Sequence, residues 1–149
     1  MNFLKLLTIV SVSFWLGAMV FFSAFVAPAA FSVLDRESAG RLVSMVFPRY
    51  YVFGIALGIV ALAGVLGRWL SGGVRPWGPL VLLVLMLGMN AFTWLVLLPQ
   101  LQALRSAAPG GALGFARLHL FSVALNLTTM LAGLTLVVVE ALGTRPGEV

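Results

Sequence analysis

The sequence predicts an all-α integral membrane protein: a four-helix bundle of antiparallel, up-down topology. Three observations carry this. First, hydrophobic residues make up 62% of the 149-residue chain and charged residues 9%, with a mean hydropathy of +1.13. A soluble domain carries about a quarter charged residues, and four acids with nine bases cannot coat a water-soluble globule of this length. Second, the charges fall at the edges of four long apolar stretches, at about 6–34, 50–67, 80–104 and 113–142. Third, residues 117–140, RLHLFSVALNLTTMLAGLTLVVVE, carry no charge between His119 and Glu140. They place His119, Ser122, Asn126, Thr129 and Gly133 at steps of three or four, along one face of a helix. Residues 118–139 give about 33 Å of helix, against a hydrocarbon core of about 30 Å.

Taken in order, residues 6–34 form the first predicted span, with no charge between Lys5 and Asp35. The apolar run ahead of Ala27-Pro28-Ala29 exceeds the 7–15 residues of a signal-peptide core, so the segment is expected to stay as a span. Gly17 permits close packing, while Trp15, Phe21, Phe22 and Phe25 bring bulk. Pro28 frees the carbonyl of Ala24 and is expected to kink or loosen the outer end. Residues 35–49, DRESAGRLVSMVFPR, read as a polar connection, with a short interfacial helix over 38–47. Pro48 then stands in the first turn of the second span, and Tyr50 and Tyr51 fall where an aromatic belt meets the headgroups. Gly54 and Gly58 make a small-xxx-small pair for another helix, with Gly64 beyond them.

Residues 68–79, RWLSGGVRPWGP, read as a compact turn with Trp69 and Trp77 at the headgroup layer. The third span is aliphatic apart from Asn90 and Thr93, and continues past Pro99 and Gln100. Ala108-Pro109-Gly110-Gly111 ends it, and the tail after Gly143 is expected to fray. One membrane domain therefore accounts for residues 1–149, with both termini on one side. Lys5, Arg68, Arg75 and Arg145 then face Arg36, Arg41, Arg49, Arg105 and Arg117, a near tie on the positive-inside rule. Lys5 and the arginines of the shortest loop favour cytoplasmic termini in a bacterial inner membrane.

The net charge of +5 does not point to nucleic acid, because the bases are scattered and suit lipid headgroups instead. With no cysteine there is no disulfide, thiolate ligand or CxxC pair, and no GxSxG or HExxH pattern occurs. No catalytic residue is assigned, and the protein is expected not to be an enzyme.

The polar residues inside the spans are the functional candidates. Counting back from a turn near residue 109 sets Asn90 and Thr93 at nearly the depth of Asn126 and Thr129. An amide facing lipid loses hydrogen bonds worth several kcal/mol, so these side chains are expected to turn toward one another. His119 lies on the Asn126 face near the outer interface, at the depth of Gln100, Arg49, Tyr50, Arg117 and the outer end of the first span. Together these predict an outer polar vestibule built on His119, Asn126, Asn90, Ser122, Thr93, Thr129, Gln100 and Arg49. The single histidine can switch charge or ligate a metal or haem, and Met86 and Met130 are weaker thioether donors. The structural alternatives are a satisfied interface histidine, amides acting as helix glue, and methionines that simply pack. Neither the metal nor any cofactor is specified by the residues.

Four stretches, WLGAMVFFSAFVAPAAF at 15–31, AGRLVSMVFPRYYVFG at 39–54, MNAFTWLVLLPQ at 89–100 and RLHLFSVALNL at 117–127, resemble the DUF4149 family. Its eukaryotic relatives are the transmembrane protein 205-like proteins. The resemblance is carried by Gly17, Phe22, Pro28, Gly40, Asn90, Pro99, His119, Ser122 and Asn126. It implies a four-helix membrane fold and no particular activity. A fainter similarity links the chain to copper-resistance D-type and haem-binding protoporphyrinogen oxidase bundles. There the first span is expected to begin with a histidine ligand; this chain offers Trp15, so a second axial haem ligand is missing.

The preferred reading is a small non-catalytic membrane protein whose outer vestibule handles or transports a small ligand or metal ion. Four spans make a narrow pathway, so transport implies a homodimer or a membrane-protein partner. The alternatives are a structural subunit of a membrane complex, and a haem-associated redox enzyme acting on a porphyrin-like substrate.

Overall fold

The computed structural model describes residues 3–106 and 112–143. Among these residues four helices are long and apolar enough to cross a membrane: Phe3–Val33, Arg36–Leu70, Trp77–Arg105 and Ala112–Leu142. Consecutive helices run antiparallel, and each packs on the next, with the fourth closing against the first. The first and third spans are thus diagonal to one another, as are the second and fourth. The turn proposed at Ala108–Gly111, and Arg145 in the tail, lie outside the described residues.

The core forms where the narrow faces of all four spans meet. Val12, Trp15 and Met19 meet Ala61 and Val65 of the second span, Leu83 and Met86 of the third, and Leu136 of the fourth. Glycines on the second and fourth spans make room for bulk from the first and third. A Cβ on Gly58 would lie 2.9 Å from Trp15 Cζ3 and 2.5 Å from Leu87 Cδ2. One on Gly133 would lie 2.8 Å from Leu16 Cδ2 and 2.9 Å from Met86 Cε. The predicted Gly54–Gly58 pair therefore serves to admit the Trp15 indole, which lies over both. Gly64 admits Thr8, whose hydroxyl donates to Leu4 O at 3.0 Å and to Ala61 O at 3.4 Å.

The second span differs most from expectation. Residues 38–47 are not a separate interfacial helix; they are the opening turns of a continuous 35-residue helix that contains Pro48. An interior proline costs about 3 kcal/mol in an isolated helix. Here packing on both sides of it offsets that cost. Val43 and Tyr51 are buried, and the Phe47 ring lies 5.3 Å from Phe22 and 5.8 Å from Tyr51. Arg105 of the third span donates to Arg36 O at 3.2 Å and Ser44 Oγ at 3.3 Å, its guanidinium lying over Gly40.

Asp35 starts this helix. Its Oδ1 accepts from the backbone N–H groups of Glu37 at 3.0 Å and Ser38 at 2.9 Å. These bonds, chiefly those from Ser38, hold the carboxyl below its ordinary pKa of 3.8. With a lowered folded value, its contribution is complete above 3.8 and is lost as the pH falls through the folded value. Asp35→Ala is expected to speed amide exchange at residues 37–39 at neutral pH and to remove the acid dependence of that exchange.

The first and third spans each widen by one π turn, at Phe22–Val26 and Thr93–Leu97. Ala27 N–H donates to Phe22 O, and Leu98 N–H donates to Thr93 O. Pro28 and Pro99 follow these turns at the same spacing. A proline ring clashes with the carbonyl four residues back, and widening the helix ahead of it relieves that clash without a sharp kink.

The turn after the second span closes with Ser71 N–H on Gly67 O and Gly73 N–H on Arg68 O, both at 3.1 Å. Gly72 takes a φ of +88°, which favours glycine. Arg75 lies 5.5 Å from the Trp69 ring and 5.8 Å from the Trp77 ring, joining the two indoles by cation–π contact.

Candidate functional site

Tyr50 and Tyr51 organise the outer half of the bundle. They were expected at a headgroup belt, but the second helix begins at Arg36, so Tyr50 sits about 21 Å along it. Tyr51 is buried and Tyr50 half-buried. With Phe22 and Phe47 they form one aromatic cluster, with ring centroids 5.2 to 6.4 Å apart.

The two asparagines do not meet. Asn90, buried on the third span, donates from Nδ2 to Tyr51 O at 2.9 Å. Asn126 accepts from the Tyr50 hydroxyl at 3.1 Å, and its Nδ2 lies 3.4 Å from Ser23 Oγ and 3.9 Å from Met130 Sδ. Both amides thus turn inward, as hydrocarbon demands. They engage adjacent residues of the second span because a backbone carbonyl and a long phenol lie closer than the other amide. Thr93 and Thr129 return their hydroxyls to Met89 O and Leu125 O, each at 2.8 Å, and Thr129 also lies 3.9 Å from Met89 Sδ.

A cleft of about 360 Å³ opens between the first and fourth spans, walled by the aromatic cluster. Ser23 and Phe22 reach it from the π turn, and Tyr50 and Tyr51 from the second span. His119, Ser122, Asn126 and Met130 reach it from the fourth. His119 is exposed at its rim, stacked on Phe115 with centroids 5.8 Å apart and planes 5° apart. Ser122 donates to His119 O at 2.8 Å, which leaves the oxygen lone pairs of its hydroxyl free to accept. Of the eight predicted residues, the cleft gathers His119, Ser122 and Asn126. Asn90, Thr93 and Thr129 lie in the packed interior. Gln100 is exposed and does not line the cleft. Arg49 lies on the outer face of the second span, donating to Met45 O at 3.1 Å beside Pro48, Val52 and Phe53.

Ser23, Phe47 and Tyr51 were not predicted as site residues, and Tyr50 was placed at the depth of the vestibule without being named among the residues that build it. The signal was present for Phe47 and Tyr51: Val43, Phe47, Tyr51, Gly54, Gly58, Ala61 and Val65 recur at steps of three or four, marking one helix face from 43 to 65. Ser23 lies four residues after Met19, on the first span's inward face, but a lone serine there does not mark a site.

The predicted metal donors do not converge. His119 and Met130 lie eleven residues apart on one helix, about 16 Å. Met86 is fully buried in the core beside Gly133. Among the described residues no three His, Cys, Asp or Glu side chains converge. What the cleft offers is hydrogen bonding from Tyr50, His119, Ser122 and Asn126 against aromatic and aliphatic walls. Tyr50→Phe removes one interhelical bond of a kind that averages about 0.6 kcal/mol in membranes. The expected result is a small drop in melting temperature with the bundle retained.

A protein of Aquifex aeolicus (strain VF5), described as uncharacterized, is 38% identical over 125 residues, covering 84% of this chain and 87% of that protein. No solved structure matches the chain. The model of the DUF4149 family, a domain of unknown function, matches residues 10–109, which include Ser23, Tyr50, Tyr51 and Asn90. With two thirds of its length inside that match, the chain belongs to the DUF4149 family.

Proposed function

We propose that this protein is a non-catalytic component of the bacterial inner membrane that takes a small ligand into the cleft between its first and fourth spans, for handling or transport. The observation that carries the reading is the convergence of Ser23, Tyr50, His119, Ser122 and Asn126 on one cavity. Lys5, Arg68 and Arg75 lie at the end that bears both chain termini and Arg36, Arg41, Arg49, Arg105 and Arg117 toward the other, so cytoplasmic termini and an outward-facing cleft are part of this proposal and not a result of the charge count. Passage through a bundle with so filled a centre requires a homodimer or a partner. Kinship with the transmembrane protein 205-like proteins belongs to the same reading.

The test is ligand content. His119→Ala and Asn126→Leu protein, purified gently beside the wild type, is expected to keep its fold and lose bound small molecules measured by mass spectrometry. Unchanged ligand content, together with a stable partner in pull-down, would instead make the protein a structural subunit.

A further inference from the structure

We propose that the cleft is the head-group end of a site for an isoprenoid-quinone-type amphiphile. Such a molecule has a flat, uncharged head bearing carbonyl acceptors and a single hydrocarbon tail. This rests on the reading of the cleft as a ligand site and names the class of ligand.

The cleft continues downward. An apolar groove lined by Leu16, Gly17, Phe21, Leu131 and Leu134 shares Val20, Leu127 and Met130 with it. From Asn126 to Leu134 the fourth span rises about 12 Å, the reach of a ten-carbon chain. Nothing lies within 4 Å of a Cβ built on Gly17, and Phe21 and Leu131 are exposed, so the groove opens sideways along its length. A molecule dissolved in the bilayer enters it without crossing water.

Polarity is graded along this groove. The hydroxyls of Ser23 and Ser122, the Asn126 amide and the His119 ring stand at the outer end, and none stands below. No Lys, Arg, Asp or Glu lines either part. An ammonium head would therefore sit without a counter-charge, and a phosphate would have only the exposed His119 ring at the rim beside it. Carbonyl oxygens suit it better. Asn126 Oδ1 is held by Tyr50, while Nδ2 makes only the long contacts to Ser23 and Met130 and keeps donor capacity.

Shape gives the third constraint. The walls are the rings of Phe22, Phe47, Tyr50 and Tyr51, against which a planar head packs by offset or edge contact. About 360 Å³ is room for one substituted ring. The widened turn does not by itself produce such an opening. The third span carries the same turn with Trp94 in the place of Ser23, and there Thr93 and Leu97 are buried.

The experiment uses the full chain in nanodiscs, with organic extraction of bound molecules and titration by decylubiquinone followed by fluorescence quenching. Wild type is expected to bind decylubiquinone and to yield extractable quinone. Asn126→Leu removes the head donor, and Gly17→Phe fills the tail groove at a point where the added side chain meets open space. Each should weaken binding by about tenfold or more. Gly17→Phe should melt with the wild type, so its loss of binding reports the groove and not the fold. Recovery of a fatty acid or another single-tailed lipid, displaced by the same two variants, would overturn the quinone assignment and leave the cleft as a ligand site. No extractable ligand and no decylubiquinone binding in wild type would overturn both.

Discussion

Gly58→Leu is expected to destabilise the bundle strongly, while Gly88→Leu leaves it intact. A Cβ on Gly58 already falls 2.5 Å from Leu87 Cδ2 and 2.9 Å from Trp15 Cζ3, and leucine adds three more carbons to that space. Trp15 cannot yield, because it is 1% exposed and packed among Val12, Ala61 and Val65. Overpacking a filled core costs about 1–3 kcal/mol, and four carbons at contacts already this short should exceed about 3 kcal/mol, a large share of a stability near 5–15 kcal/mol. Gly88 is exposed with nothing within 4 Å of its Cβ, so leucine there should change stability by less than about 0.5 kcal/mol. Trp15→Ala alone should cost about 3–5 kcal/mol by leaving a cavity. Combined with Gly58→Leu it should cost less than the sum, because the leucine then fills vacated space. Thermal melts in detergent for the four variants decide the matter. Additive losses would mean that the indole and Gly58 are not packed as described.

This contact shows which parts of the fold could be read from residues alone. Apolar run lengths gave the number and order of spans, since covering about 30 Å of hydrocarbon leaves few alternatives. Spacing marked the packing faces: Gly54 and Gly58 stand out as a pair, and Tyr51 lies three residues before Gly54 on the same face. The start of the second helix was not legible. Asp35-Arg36-Glu37 and Pro48 carry the local signature of a connection, and only contacts distant in sequence, from Phe22 and Arg105, extend the helix through them. That displacement moved Tyr50 and Tyr51 from the expected interface into the bundle. It is also why Asn90 and Asn126, though correctly expected to face inward, found the second span and not each other. Of the candidate site, the fourth-span face of His119, Ser122 and Asn126 was legible from periodicity. Of its partner wall, Phe47 and Tyr51 share the spacing of the second span's glycine face, whereas Ser23, four residues after Met19, does not stand out among its apolar neighbours.

Replacing Glu140 or Arg68 singly is expected to destabilise the bundle strongly, and replacing both with apolar residues is expected to recover most of the loss. The pair joins the second and fourth spans across the diagonal: Arg68 Nη1 donates to Glu140 Oε2 at 2.6 Å, and Nη2 donates to Oε1. Two parallel bonds fix direction as well as distance. Tyr50 and Asn126 make the corresponding tie at the outer end, so the two diagonal helices are pinned at both levels. The Arg68 side chain is 19% accessible and that of Glu140 only 6%. Removing one partner of a buried pair costs about 3–5 kcal/mol because the other is left unpaired. The difference in burial sets an order. Glu140→Leu strands a guanidinium that still reaches water and should fall near the lower end of that range. Arg68→Leu strands the more deeply buried carboxylate and should cost more. Arg68→Met with Glu140→Leu leaves no uncompensated charge and should melt close to the wild type. Added salt should change the wild-type melt little, since a buried pair is poorly screened. Equal and small losses in both single variants, erased by salt, would place the pair in open water and remove the diagonal tie from the fold.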